Sequence, residues 1–75
     1  MDIAGLKQFF GQSILVSADG KDFVGILQPI QGSQDSVTLK PLDDADANNY
    51  TFAINGAAAL SVSAISFVQK LDRQP

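Results

Sequence analysis

The stretch Asp19-Gly20-Lys21-Asp22-Phe23-Val24-Gly25-Ile26-Leu27 joins an Asp-Gly turn, the strongest short-range hairpin signal, to a run of two-residue periodicity. Phe23 and Leu27 fall on one face of that run with Gly25 between them, and Val24 and Ile26 fall on the other. A strand that is apolar on both faces is covered on both faces. Gly25 in its interior signals a bend or a close approach of backbone, as the corners of a small barrel require. Before the turn, Ile14, Val16 and Ala18 alternate with Leu15 and Ser17, so residues 13–18 supply the first strand of the hairpin.

Upstream, Ile3, Leu6 and then Phe9 or Phe10 recur at helical spacing over residues 1–12. Asp2 stands at the N-cap and Gly11 is placed to end the helix in a left-handed conformation. A helix this short does not persist alone, so its apolar stripe must pack on the strands. Downstream, Pro29 ends the pairing or marks an edge, residues 31–34 are loop, and Ser36-Val37-Thr38-Leu39-Lys40 alternates as a third strand. Asp43-Asp44-Ala45-Asp46-Ala47-Asn48-Asn49 reads as a polar, acidic loop. Tyr50-Thr51-Phe52-Ala53-Ile54 resumes the alternation, which predicts Phe52 in the core. Asn55-Gly56 is either a second tight turn or a bulge in one long bent strand continuing through Val62. Alanine propensity also allows a helix over residues 57–60. Residues 64–68 form the last strand, and a charged tail begins at residue 70.

The chain has 75 residues, 45% hydrophobic, with no Cys, Trp or His and a net charge of −3 in which every acid is Asp. That length makes one domain, residues 1–75, whose core alone gives marginal stability and calls for a staple. The absent residue types exclude disulfides, thiolate chemistry, imidazole catalysis and zinc sites built from Cys or His. We therefore expect no enzyme, no cofactor, no metal and no small-molecule substrate, and oligomerisation as the staple. The acid in Met1-Asp2-Ile3-Ala4 is unlike the start of a signal peptide, and no long apolar region follows, which predicts a cytoplasmic protein. Residues 47–69 carry no charge. Their Asn, Ser and Thr residues and their alternation argue against a membrane span and for strands that face protein on both sides.

One helix followed by about five short strands is the outline of a small, strongly bent, partly open barrel. The pattern resembles the Sm-like family, which includes the Sm and LSm proteins and the bacterial host factor Hfq. The run from Asp19 to Leu27 resembles that family's first motif, Val37-Thr38-Leu39 the apolar triplet that closes it, and Ser63-Ala64-Ile65-Ser66-Phe67-Val68 the end of the second motif in its bacterial form. The resemblance implies a mainly β, five-stranded antiparallel Sm-like (SH3-like) barrel with an N-terminal helix. It also implies a homomeric ring in which the fourth strand of one subunit pairs with the fifth of the next. Placed on that pattern, the first strand is displaced by one residue before Asp19, which predicts a bulge there.

The same resemblance implies single-stranded RNA as partner and an RNA-binding scaffold or chaperone as function, with Lys21, Gln31, Ser36 and Asn55 as contact residues. Leu60, Val62, Ile65 and Phe67 are then the subunit interface. The loop before the third strand, residues 31–36, has no Asn and no stacking aromatic, and Asn55-Gly56 stands where the family brings Arg-Gly. Those departures carry the alternative reading, a structural or protein-interaction ring that has lost the nucleotide pocket. Asp43, Asp44 and Asp46 lack the spaced ligands of an ion-binding loop and read as solvated. Lys7, Lys21, Lys40, Lys70 and Arg73 are the whole cationic inventory, scattered along the chain.

Overall fold

The computed structural model describes residues 2–71; Arg73 and the rest of the tail after Leu71 lie outside the described residues. Asp2 caps the N-terminal helix α1 (Ile3–Leu6): its carboxylate accepts from the Gly5 N–H at 3.0 Å. The helix continues as a 3₁₀ turn, Lys7–Phe9, and the chain reverses at Gly11, whose φ is +82°. The strands β1 (Ser13–Ala18) and β2 (Lys21–Pro29) form the hairpin. Asp19 and Gly20 have φ of 53° and 77°, the pair of positive values that a type I′ turn requires.

β3 (Ser36–Lys40) pairs antiparallel with the second half of β2, and β5 (Ala57–Ser61) with the far side of β3. β6 (Ile65–Lys70) returns along β1, giving the order β5-β3-β2-β1-β6. A two-residue strand, β4 (Ile54–Asn55), pairs parallel with Phe23 and Val24 of β2, off that path. The sheet thus has six strands rather than five. Its ends do not pair with each other, so the antiparallel row is open. It is nonetheless strongly curled. Five strands laid flat would put their outermost members about 19 Å apart, yet β5 and β6 are joined by a single 3₁₀ turn, Val62–Ala64, which spans only about 8 Å.

The interior of the curl holds Leu6, Ile14, Val16, Ala18, Leu27, Val37, Leu39, Val62 and Ile65. Ile3, Phe9, Phe10 and Phe23 close over them, so the apolar stripe of α1 caps this core. The other face of the sheet has a smaller cluster of Val24, Leu42 and Leu71, with Leu15, Ile26, Ala47, Tyr50 and Ala53 packed on it. β2 contributes to both clusters as its sequence requires: Phe23 and Leu27 to one, Val24 and Ile26 to the other.

Gly25 is the pivot of β2. Residues 26–29 pair with β3, whereas residues 23–24 pair with β4. At the change of partner, a Cβ on Gly25 would lie 2.7 Å from the Lys40 carbonyl oxygen. The close approach expected of this glycine is therefore an approach of β3.

Several expectations are corrected. Residues 43–49 are not an open loop but a short helix, α2 (Asp44–Ala47), followed by a 3₁₀ turn, Asn48–Tyr50. No strand runs over residues 50–54: only Ile54 and Asn55 pair, and Phe52 is 67% exposed rather than core. Residues 57–60 are strand, not helix, because the ladder to β3 outweighs alanine's propensity. At Gly56 the chain neither turns into a hairpin nor bulges within one strand. It breaks at φ +84°, passes from β2 to β3 as partner, and sits so tightly on Pro41 that a Cβ would lie 2.7 Å from that ring. The irregularity expected in the first strand falls on the last one. β1 keeps register with β2 throughout, but Ser17 faces Phe67 and Ala18 faces Ile65, leaving Ser66 unpaired. β6 also runs on to Lys70, and Leu71 is buried, so the tail begins later than its charges suggest.

Candidate functional site

Two features of the fold invite a partner: the outer edges of β5 and β6, and a pocket beside the turn that joins them. Among the described residues β5 pairs only with β3 and β6 only with β1, so each presents one backbone edge outside the ladders. Natural edge strands are blunted by charged side chains, proline or bulges. β5, Ala-Ala-Ala-Leu-Ser, has no charge and no proline but has a register break against β3 between Ala57 and Leu60, and β6 has a bulge at Ser66 and one charge, at its terminal Lys70. The bulge is fixed by the Ser66 hydroxyl, which donates to the Ser17 carbonyl at 3.2 Å.

Of the four side chains expected at a subunit interface, Val62 and Ile65 are buried in the core, each about 4% exposed. Leu60 is half-buried against the same core, and Phe67 stands out from β6 at 49% exposure. Ala58 and Ala59 are exposed on β5, the other edge. A large apolar side chain on one edge and small ones on the other is a complementary pair of surfaces.

The expected RNA contacts do not come together. Lys21 lies exposed at the start of β2, beside the hairpin turn, and Gln31 and Ser36 lie past the strand's other end. Asn55 is already engaged: its side-chain oxygen accepts from the Leu42 N–H at 2.7 Å and its amide donates to the Leu42 carbonyl at 3.1 Å. It is a clip between β4 and the segment after β3. A sequence reading sees an Asn-Gly turn there because the partner backbone is thirteen positions away.

Gln31 and Ser36 belong to a built loop. The Ser33 hydroxyl accepts from the Asp35 and Ser36 N–H groups at 3.3 and 3.2 Å, and the Asp35 carbonyl accepts from the Val62 N–H at 2.8 Å. The loop is thereby tied to the β5–β6 turn. Beside the tie lies a pocket of about 380 Å³ lined by Asp2, Ile3, Gln34, Asp35, Ser61, Val62 and Ser63. Its polar groups are an amide, paired hydroxyls (Ser61 Oγ to Ser63 Oγ, 2.9 Å) and carboxylates, with no cationic side chain in the lining. Such a lining donates and accepts hydrogen bonds but repels phosphate. A second, shallower depression lies over β3, β4 and β5 and is lined by Gln28, Thr38, Lys40, Pro41, Asn55 and Ala58 among others. The Thr38 hydroxyl there donates to the Ala57 carbonyl at 2.9 Å, bridging the register break between β3 and β5.

Among the described residues no group of three carboxylates is placed to hold a metal ion, Asp43, Asp44 and Asp46 included. No helix of the described residues is long and apolar enough to cross a membrane. No family model, no curated protein and no solved structure matches this chain.

Proposed function

We propose that this chain is a self-assembling scaffold of Sm-like type, in which the outer edge of β5 in one copy pairs with the outer edge of β6 in the next to make a homomeric ring. The observation that carries this reading is the pair of outer edges at opposite ends of one curled sheet, free of proline and with a single charge, Lys70, between them. Strand addition satisfies backbone groups that water otherwise holds. Different edges on the two partners make a head-to-tail contact, which closes into a ring when the rotation between copies allows. Phe67 is then covered by its neighbour's Ala58 and Ala59. The marginal core of a 75-residue chain gains from the assembly the stability that no disulfide supplies.

Size-exclusion chromatography with light scattering tests this. We expect a multiple of the 7.9 kDa protomer at micromolar concentration; a monomer there overturns the reading. Phe67→Asp is the informative variant, because Phe67 is exposed in the single chain.

In its cellular role we read the ring as a structural or protein-interaction scaffold. An RNA-binding scaffold is the second reading, favoured by the hydrogen-bonding groups of Gln34, Ser61 and Ser63 in a pocket at the loop where the resemblance places RNA. Fluorescence polarisation with uridine-rich and adenine-rich oligonucleotides separates them. Binding that weakens with salt supports RNA, and no binding to the assembled ring at low salt leaves the protein scaffold.

A further inference from the structure

The segment between Leu42 and Asn55 is a module in its own right. The paired hydrogen bonds between those residues close its ends, which is the construction of a compact surface loop of the kind that often carries function. Its inward side is anchored: Leu42 is buried in a cluster with Val24 and Leu71, and Ala47, Tyr50 and Ala53 pack against that cluster. Its outward side displays Phe52, 67% exposed, and Ile54, 49% exposed. Phe52 is not a loose side chain, because its ring meets that of Tyr50 edge-on at 6.3 Å and 67°. Folding leaves these large apolar groups in water on a segment that buries Leu42 and half-buries Tyr50, and pairing through the edges of β5 and β6 uses neither of them.

We propose that Phe52 and Ile54 form a docking surface for a partner protein that presents a basic amphipathic helix. Charge selects the occupant. Asp43 and Asp44 are exposed at the start of the same module, Asp46 is in the first turn of its helix, and the sequence has no Lys or Arg from Pro41 to Gln69. Apolar contact with Phe52 and Ile54 flanked by this acidic stretch complements a helix with apolar residues on one side and Lys or Arg beside them. A second copy of this chain, with net charge −3, brings the same acids to the contact. An anionic lipid surface or a nucleic acid is repelled in the same way.

The test uses the assembled protein and a synthetic Leu/Lys peptide with helical amphipathic spacing, beside a scrambled peptide of identical composition. Amide chemical-shift mapping is expected to confine the helical peptide to residues 43–54, with weak, dispersed binding of the scrambled one. Phe52→Ala is expected to weaken binding roughly tenfold or more, as for an aromatic anchor at an interface centre, while Phe67→Ala leaves the peptide affinity unchanged. Substituting Asp43, Asp44 and Asp46 together by Asn should remove most of its salt dependence. Absence of binding, equal binding of both peptides, or binding indifferent to Phe52→Ala and Ile54→Ala overturns the proposal. A fall in assembly mass on Phe52→Ala also overturns it, because a second copy is then the occupant.

Discussion

Replacing Gly25 by alanine adds one methyl group where the sheet changes direction, and its cost follows from distances on either side. The new Cβ would lie 2.7 Å from the Lys40 carbonyl oxygen and 3.0 Å from the Leu39 Cβ. Ordinary contact begins near 3.4 Å, so β3 must retreat by about 0.7 Å. What it meets is backbone and a Cβ, neither of which rotates away. Retreat strains the β2–β3 ladder from Ile26–Lys40 onward and disturbs the packing of Leu39, a fully buried core residue. Overpacking of this kind costs about 1–3 kcal/mol, and the lower entropy of the unfolded alanine chain returns about 0.4–1 kcal/mol only where the native site is unstrained. We expect a net loss of about 2 kcal/mol, out of the roughly 4–11 kcal/mol that a chain of this length holds. At about 4–8 °C per kcal/mol for a small domain, Tm falls by about 8–16 °C.

Urea and thermal unfolding followed by circular dichroism measure this, at matched protomer concentration because self-association shifts apparent stability. Gly11→Ala is the control. Gly11 has φ +82° but nothing within 4 Å of a Cβ, so only the left-handed penalty of about 1–2 kcal/mol applies. If Gly25→Ala unfolds within about 0.5 kcal/mol of the parent, the close approach of β3 does not constrain this sheet and the pivot argument is wrong.

Asn55→Ala should cost about 1–3 kcal/mol by leaving the Leu42 N–H and carbonyl without their partner. Hydrogen exchange should quicken over residues 42–55, whereas unchanged stability would mean that Asn55 is not the clip. Phe67→Asp should lower the assembly mass while far-UV circular dichroism is retained, and Ile65→Asp, which puts a charge into the core, should unfold the chain at any concentration. A Phe67→Asp ring of parental mass would move the interface elsewhere. Asp2→Ala should cost about 0.5–2 kcal/mol through loss of the cap on Gly5, read as a lower urea midpoint with an unchanged slope.

The first forty residues were legible because their signals are local. Asp19-Gly20 allows one tight turn, the alternation around Gly25 assigns each side chain to a face, and Asp2 needs only the next few amides to act as a cap. Legibility fails after Lys40, where the sequence contains two superposed periods. Tyr50, Phe52 and Ile54 alternate as in a strand, while Ala47, Tyr50 and Ala53 recur every third residue as in a 3₁₀ turn. The second period won because the second face of β2, with Val24 and Ile26, needed a lid, and Ala47, Tyr50 and Ala53 pack half-buried against the cluster there. For the candidate site, the charge-free final strands drew attention to what are the two outermost strands of the antiparallel row, yet Val62 and Ile65 turned inward and Phe67 outward. Ser66 accounts for part of that choice: one unpaired residue between Ile65 and Phe67 resets which face the following side chains take.

The amino-acid order by itself determined the absence of metal or disulfide chemistry from Cys or His, a helix and hairpin in place, and a central strand apolar on both faces. Those are matters of composition, dihedral preference and two-residue period, and none needs a distant partner. Only the tertiary structure decided which segment covers the second face of β2, which partner Asn55 serves, and where the bulge falls. Each of those depends on a group far away in sequence that becomes a neighbour once the sheet curls: Leu42 for Asn55, Ser17 for Ser66, Lys40 for Gly25.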